Sequence, residues 1–255
     1  MTDSVRIKRD LEAFYASEAH DRDSEAWLEL GGTARVPESP SSLYFIDRKV
    51  ETALAMAALP RDARVLEVGC SFGHMSFLLA ERFREVVSVD LSAESIDLAR
   101  RRAERYGVGN VRFEVADAER LEQFPDAGFD GVFSFSTLRF CPDPARAAAE
   151  MARVTKPGGK AVADVPNKDC PWYGPLKRLV GVTPHIHDQL FTAAEGRALL
   201  ERAGFREVTS RHILFTTKRV PTVALPIFKL ADRVLEAMPG VRGWSGIVMA
   251  SGRKP

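Results

Sequence analysis

The chain has 255 residues, of which 45% are hydrophobic and 28% are charged, and its formal net charge is +1. This is ordinary globular composition, and the chain is long enough to bury a sizeable core. The nearly balanced charge excludes a bulk electrostatic attraction to nucleic acid or to an anionic membrane, and leaves room only for a local basic patch.

The N-terminal part is charged and is expected to be helical. Polar, proline-rich and glycine-containing stretches interrupt residues 1–40, most clearly at 37–42. A helix is predicted from about Tyr44 to Leu59, where Pro60 ends it. Its candidate inward-facing residues are Phe45, Val50, Leu54 and Met56.

From Ala63 onward, strands and helices alternate. Strands are predicted at 63–68, 85–90, 111–115, 129–135 and 159–165. Helices are predicted to begin near Phe72, Ser92, Ala118 and Asp143, with Ser92 and the pair Asp143-Pro144 as helix-start signals. This alternation is typical of βαβ units, so it predicts an α/β fold with a mostly parallel sheet.

The alternation relaxes after Asn167. Residues 168–190 are rich in proline and glycine and are predicted to form a long excursion. Thr192 and Glu195 form a capping-box pattern for a helix that ends at Gly204. The remaining predicted elements are a strand at 206–215, an apolar helix at 221–238 kinked or split by Pro226, and a last strand at 244–251.

We expect two parts along the chain. Residues 1–60 are predicted to form an N-terminal helical cap segment, and residues 61–255 the main domain. Within the main domain, insertions near 168–190 and 216–243 are expected to act as lids over a pocket.

The run Val65-Leu66-Glu67-Val68-Gly69-Cys70-Ser71-Phe72-Gly73-His74 carries the strongest functional signal. A short strand ends, the chain turns on two glycines, and a helix begins, which is a nucleotide-type site at the carboxyl edge of a parallel sheet. The carboxylate of Glu67 would repel the pyrophosphate of a dinucleotide and attract an ammonium group, as in S-adenosylmethionine (SAM). A dinucleotide fingerprint also fails, because Ser71 and His74 stand where it requires glycine.

Four segments in order resemble the class I SAM-dependent methyltransferases of the small-molecule type, over about residues 45–215. They are 67–73, the strand 86–92 that ends in Asp90, the segment 113–118 that contains Asp117, and the stretch from 129 to 159. The resemblance implies a Rossmann-like, seven-stranded, mostly parallel sheet with helices on both faces and an antiparallel last strand. It also implies SAM as cofactor and S-adenosylhomocysteine (SAH) as product.

The same resemblance assigns the cofactor site residue by residue. Asp90 would accept the ribose hydroxyls, Asp117 with the Ala118 amide would bind adenine, and Glu67 would attract the amino group. The full expected set is Glu67, Gly69, Ser71, Gly73, Asp90, Leu91, Asp117, Ala118 and Phe135. The alternatives are that the two aspartates only cap helices, that Glu67 is a surface acid and that the Phe135 side chain is core.

Candidate catalytic residues lie in the excursion after the fifth strand. If that segment is extended, His185 and His187 face the same way, and either one is a candidate base or substrate ligand. The alternatives are ordinary surface hydrogen bonds or, less favoured, a metal site; no metal is expected because no further ligand cluster stands out.

Candidate substrate-pocket residues are Arg139, Tyr44 and Ile227. Arg139 would hold an acidic group of the substrate or would otherwise be a solvated arginine, whereas Tyr44 together with Arg48 would close over the cofactor. The apolar helix that contains Ile227 would roof a hydrophobic pocket, touch a membrane surface, or pack on the sheet or on a second copy.

These patterns predict a SAM-dependent methyltransferase that acts on a hydroxyl or other heteroatom of a small, apolar, natural-product or lipid-like molecule. The alternatives are a C-methyltransferase of a quinone or polyketide and a non-catalytic SAM-binding protein. A nucleic-acid substrate is disfavoured, because the Asn/Asp-Pro-Pro-aromatic motif of base-modifying methylases is absent at 134–137. Oligomeric state is left open.

A cytoplasmic, soluble protein is expected from three further features. Cys70, Cys141 and Cys170 are widely spaced and form no CxxC pair, which suits a reducing compartment and argues against a structural zinc site. The first fifteen residues lack the apolar core of a signal peptide. No uninterrupted apolar run reaches the roughly 18 residues that a membrane span needs.

Overall fold

A computed structural model describes residues 3–21, 39–171, 187–218 and 220–255. Seven strands form one sheet in the order β3-β2-β1-β4-β5-β7-β6. The strands are β1 (Arg64–Val68), β2 (Glu85–Asp90), β3 (Val111–Val115), β4 (Phe129–Phe135), β5 (Thr155–Pro166), β6 (Arg206–Ile213) and β7 (Ile247–Arg253). Only β7 runs antiparallel to its neighbours β5 and β6, which confirms the expected topology.

Helices surround this sheet. They are α1 (Asp3–Asp21), α2 (Pro40–Ala57), α3 (His74–Ala80), α4 (Ala93–Tyr106), α5 (Pro144–Val154), α6 (Ala193–Arg202) and α7 (Leu225–Ala237). Neighbouring residues of β1 point to opposite faces, with Leu66 and Val68 in one buried cluster and Val65 in another. The first cluster includes α5 and α6, and the second includes α2 and α3, so both faces of the sheet are covered.

Local hydrogen bonds start three helices where the sequence predicts them. The hydroxyl of Ser92 accepts the Ser95 N–H at 3.1 Å, and the carboxylate of Asp143 accepts the Arg146 N–H at 3.1 Å. At α6 the Thr192 capping box is complete. These caps confirm that short-range polar chemistry sets the helix starts.

The prediction of a helix that begins near Ala118 is wrong. Residues 118–127 form turns, because tertiary hydrogen bonds take their backbone groups. The guanidinium of Arg153 donates to the carbonyls of Leu121 and Phe124 at 2.8 and 2.9 Å, and Glu150 accepts the Leu121 N–H at 2.7 Å. These side chains on α5 satisfy groups that a helix would have paired internally.

The apolar segment near 221–238 is helical, with Pro226 in the first turn of α7 rather than within it. Asp232 anchors this helix to the domain. Its carboxylate is fully buried and accepts the N–H groups of Phe215 and Thr216 at 2.7 and 2.9 Å, and the hydroxyl of Tyr44 at 2.9 Å. Among the described residues, no helix is both long and apolar enough to cross a membrane.

Candidate cofactor and substrate site

The turn between β1 and α3 forms the floor of the site. Gly69 and Gly73 have φ angles of +80° and +81°, and Ser71 between them has +48°, so the chain makes a tight left-handed turn. A Cβ atom on Gly69 would lie 1.9 Å from the Oγ1 of Thr137. From α4, the buried guanidinium of Arg102 donates a hydrogen bond to the carbonyl of Phe72 and fixes the far side of the turn.

Glu67 lies beneath this turn and is buried, so it is not a surface acid. Its Oε2 accepts hydrogen bonds from the hydroxyls of Ser76 at 2.5 Å and Ser88 at 3.3 Å. Burial raises the pKa of Glu67 to about 7, against the opposing effect of the two hydroxyls; nearby Asp90 raises it further. The glutamate therefore changes charge near neutral pH.

Asp90 ends β2 beside the turn. Its Oδ2 accepts the Ser71 N–H at 2.8 Å, and its Oδ1 accepts the Ser92 N–H at 3.0 Å. The cap of α4 is the hydroxyl of Ser92, so the Asp90 carboxylate does not itself cap the helix. Burial raises the pKa of Asp90, and the backbone amides of Ser92, Ser71 and Leu91 oppose that rise. Each carboxylate oxygen keeps a lone pair for a ligand.

Asp117 follows β3 on the same edge of the sheet. Its Oδ1 accepts the Glu119 N–H at 2.9 Å, and its Oδ2 accepts the ammonium of Lys8 at 2.6 Å. The same ammonium donates to Glu119 at 2.7 Å. Asp117 caps no helix, since none begins here, and α1 is tied to this part of the site through Lys8.

These residues share one cavity of about 1150 Å³. It exceeds the roughly 300–1,000 Å³ of a typical small-molecule pocket, so it has room for two molecules side by side. The carboxylates of Glu67, Asp90 and Asp117 line it at the carboxyl edge of the sheet. Its apolar and aromatic lining residues are Phe14, Tyr15, Phe45, Ile46, Phe135, Phe140, Leu214, Phe215 and Ile247.

The structure brings most of the expected cofactor residues together. Of that set, all but Gly73 border the cavity: Glu67, Gly69, Ser71, Asp90, Leu91, Asp117, Ala118 and Phe135. Gly73 lies at the start of α3, where a Cβ atom would be 2.9 Å from the ring of Phe113. The sequence signal that places them is the ends of parallel strands, which meet at one edge of a sheet.

Arg139 also borders the cavity, but it is buried and not solvated. Its Nε and Nη2 donate to both oxygens of Asp188, and its guanidinium lies 5.1 Å from the ring centre of Phe140. An acidic substrate would have to share a guanidinium that already holds a carboxylate.

Three of the other expected residues do not border the cavity. Tyr44 points to Asp232, and Ile227 is exposed on the outer face of α7. His187 is half-buried, and its Nε2 lies 3.2 Å from the carboxylate of Asp10 on α1. His185 falls outside the described residues. Among those residues, no group of three His, Cys, Asp or Glu side chains is arranged to hold a metal ion.

Sequence reasoning missed the contributions of α1 and α2. Tyr15 is half-buried beside Phe140, with ring centres 6.2 Å apart, and desolvation of its hydroxyl raises its pKa. Lys49 on α2 pairs with Asp164 at the end of β5. No motif marks these residues, since they become neighbours of the cavity only after the helices fold onto the sheet.

The buried charge of Glu67 makes stability depend on pH. As pH rises from 4.5 to 7, the unfolded chain loses this proton and the folded chain keeps it, so the free energy of unfolding falls by about 3 kcal/mol. Glu67→Gln removes this loss. The compared quantity is the Tm of the variant minus the Tm of wild type. We expect this difference to be at least about 5 °C larger at pH 8 than at pH 5.5.

Calorimetric melting of both proteins at the two pH values measures this difference. Glu122→Gln, at a largely exposed position, is the matched control and should change Tm equally at both. If the Tm difference between Glu67→Gln and wild type is the same at pH 5.5 and pH 8, Glu67 does not have a raised pKa in the folded protein.

Comparison with known proteins places this geometry in a family context. Residues 66–163 match a family described as a methyltransferase domain. The S-adenosyl-L-methionine-dependent Diels-Alderase iccD of Talaromyces variabilis is 26% identical over 100% of this chain and 98% of its own. The ubiquinone biosynthesis O-methyltransferase of Hahella chejuensis is 37% identical, but the match covers 47% of each protein.

The fold has solved counterparts. The crystal structure of the (4+2)-cyclase SpnF has a TM-score of 0.59 to this chain at 23% identity, over 82% of this chain and 80% of its own. At this identity the likeness is one of fold. The chain is thus similar in sequence to one relative over its full length and to another over about half of its length. It is similar to the third in architecture.

Proposed function

We propose that this chain is a class I SAM-dependent methyltransferase that transfers a methyl group from SAM to an oxygen atom of a small, apolar acceptor. One observation carries the proposal. Glu67 and Asp90 flank a left-handed glycine turn on the floor of a cavity that has room for a cofactor and a second, apolar molecule.

The residues present fit SAM. The turn has no space for a Cβ atom at Gly69, because Thr137 packs against it, and its φ of +80° suits glycine. Carboxylates of Glu67, Asp90 and Asp117 border the same cavity, which favours a cationic ligand and disfavours a pyrophosphate. When bound, SAM supplies a methyl group already activated by its positively charged sulfur.

We assign the binding roles from these positions. Asp90 would accept the ribose hydroxyls, and Glu67 would attract the amino group through its field. Asp117 and the Ala118 amide would bind adenine, with Lys8 sharing the Asp117 carboxylate. Gly69, Gly73, Ser71, Leu91 and Phe135 would shape the remaining contacts.

The apolar lining of the cavity favours an apolar, aromatic or lipid-like acceptor. Phe45, Phe135 and Leu214 belong to one buried apolar cluster that forms its wall. Such a wall aligns an acceptor and excludes water, which is most of what methyl transfer asks of a protein. His185 and His187 stay candidate bases, and a carbon acceptor stays an alternative.

A second candidate function is catalysis of a cycloaddition with SAM retained. It is favoured by the similarity over the whole chain to a SAM-dependent Diels-Alderase, which includes regions outside the matched methyltransferase domain. A cyclase would need SAM in place and would not consume it.

One experiment tests the proposal and separates the two candidates. The protein is incubated with methyl-labelled SAM and a panel of phenols, enols, quinols and polyene carbonyl compounds, and both SAH and organic products are measured. We expect SAH and O-methylated product in equal amounts. Ring formation without SAH would support the cyclase, and C-methylated product the carbon-acceptor alternative. SAM binding without any turnover would support the non-catalytic alternative.

We also propose that residues 1–60 act as a cap on a main domain at 61–255. Supporting contacts are the Lys8 ion pairs with Asp117 and Glu119, and the contact of His187 with Asp10, which joins α1 to one expected lid near 168–190. Most of that lid lies outside the described residues. The second expected lid, 216–243, is anchored by Asp232 but turns its apolar side outward.

That outward side supports a proposed contact with a lipid surface. Val223, Ile227, Leu230 and Val234 are exposed at spacings of three and four residues, so they form one apolar stripe on the turn before α7 and on α7 itself. An apolar acceptor would be found in membranes, which makes a lipid surface the favoured occupant over a second copy.

The stripe predicts a specific binding defect. Ile227→Asp with Leu230→Asp should reduce co-sedimentation with mixed neutral and anionic lipid vesicles at least about tenfold, because each charge removes an apolar anchor from the interface. SAH affinity should be unchanged, since neither residue borders the cavity. Val5→Asp, at an exposed apolar position on α1, is the control. If wild-type protein does not bind vesicles but forms dimers, the partner of the apolar stripe is a second copy of the chain and not a lipid surface.

A further inference from the structure

A buried polar cluster interrupts the apolar lining of the cavity. The ammonium of Lys49 lies 3.0 Å from the Oδ2 of Asp164 and donates to the hydroxyl of Ser136 at 2.7 Å. That hydroxyl donates to Asp164 at 3.2 Å, and the Ser136 N–H donates to the same carboxylate at 3.1 Å. The side chains of Lys49 and Asp164 are 2% and 0% exposed, so the pair is cut off from bulk water.

An ion pair in this position is expensive as a purely structural device. Taking both charges out of water opposes their attraction, and apolar residues of similar size would fill the space with equal or greater stability. Ser136, which joins the two, has a φ angle of +57°, a strained backbone conformation for a residue other than glycine. Such strain is kept where surrounding structure holds a side chain in a required position.

The cluster lies beside aromatic side chains of the cavity. Lys49 and Ser136 border the cavity, and Lys49 lies 5.8 and 5.9 Å from the ring centres of Phe45 and Phe135. Two of the three ammonium hydrogens are directed to Ser136 and Asp164, which leaves one N–H without an acceptor among the described residues. A cation with a spare donor, set in an aromatic wall, suits a ligand that is flat, apolar and carries one negatively charged oxygen.

We propose that Lys49, held in place by Asp164 and Ser136, binds the reacting oxygen of the acceptor as a phenolate or enolate. The inference rests on the proposed function and deepens it, since it limits the acceptor to ionisable oxygen acids. The proton lost on ionisation passes to solvent. The cation lowers the free energy of the oxygen anion in a water-poor site, so the protein needs no separate base next to the methyl group.

The electrostatic surroundings agree with this role. Burial lowers the pKa of Lys49, and Asp164 and Glu67 oppose that lowering, whereas Arg139 adds to it. An anionic oxygen next to the ammonium would add a second stabilising charge.

4-Nitrophenol tests the inference directly, because only its phenolate absorbs visible light. The probe is titrated against pH with SAH-loaded protein, and the absorbance of the bound fraction gives its apparent pKa. We expect wild type to lower the pKa of the bound phenol by about one unit or more. Lys49→Met should abolish this shift, and Lys49→Arg should keep most of it.

Two further measurements keep the outcome decisive. Lys49→Met leaves Asp164 unpaired, so the double variant Lys49→Met with Asp164→Asn, which removes both charges, is measured beside it. SAH affinity is determined for every protein. If the wild-type protein does not bind SAH, the proposed function itself is rejected. Normal SAH binding with no probe binding, or with the same probe pKa in wild type and both variants, would overturn only the role of Lys49.

Discussion

Replacement of Asp90 by alanine is expected to weaken SAH binding at least 100-fold. The carboxylate lies at the end of β2 beside the glycine turn, with a lone pair on each oxygen left for a ligand. A hydrogen bond to a charged group contributes about 1.5–3 kcal/mol, so loss of two such bonds to the ribose hydroxyls weakens binding by about 3–6 kcal/mol. Calorimetric titration with SAH, with NADH as a negative control ligand, measures the change.

The same substitution leaves two amides without their acceptor, so folding must be checked beside binding. Ser71 and Ser92 each donate to Asp90, and the loss of both bonds is expected to lower Tm by several degrees. Asp97→Ala, at an exposed site on α4, is the matched control and should leave both Tm and SAH affinity unchanged. An Asp90→Ala protein that melts normally and binds SAH within about threefold of wild type would refute the ribose-binding role.

Gly69→Ala is expected to abolish detectable SAH binding and to destabilise the fold. A φ of +80° costs a non-glycine residue about 1–2 kcal/mol, and the new methyl group would lie 1.9 Å from the Oγ1 of Thr137. The turn must shift to relieve this overlap. Because the turn also positions the Ser71 amide on Asp90, the shift disturbs the cofactor site as a whole. Tm and SAH titration report the two effects.

Gly107→Ala separates backbone strain from steric overlap. Gly107 ends α4 at a φ of +66°, and nothing lies within 4 Å of a Cβ atom built there. It should cost about 1–2 kcal/mol of stability and leave SAH affinity unchanged. Combining Gly69→Ala with Thr137→Gly removes the overlap, because the Cβ atom of Thr137 would itself lie 2.6 Å from the new methyl group. The double variant keeps the strain, so it should recover part of the SAH affinity. Equal effects of Gly69→Ala and Gly107→Ala on SAH binding would show that the turn does not position the cofactor site.

The sequence by itself determined the sheet and the polar lining of the cavity. Helix starts at Ser92, Asp143 and Thr192 depend on hydrogen bonds between residues three apart, which are visible in a local pattern. Glu67 and Asp90 were identifiable because the ends of adjacent parallel strands must meet at one edge. Here local chemistry and sheet geometry agree, so a single sequence is sufficient.

Only the tertiary structure decided which residues complete the cavity. Lys49, Ser136 and Asp164 come from α2 and from the ends of β4 and β5, and no spacing in the chain relates them. The helix expected near Ala118 is absent because Arg153 and Glu150, far along the chain, take its backbone partners. Side-chain hydrogen bonds over long sequence distances are invisible to periodicity.

The orientation of α7 shows the same limit. A roof over the pocket was one of the placements that its apolar residues left open, yet Ile227 is exposed. The buried carboxylate of Asp232 accepts hydrogen bonds from Phe215, Thr216 and Tyr44, and these bonds turn the polar side of the helix inward. A buried carboxylate without partners costs more free energy than an exposed isoleucine, so the tertiary hydrogen bonds of Asp232 outweigh the hydrophobic pattern of the helix.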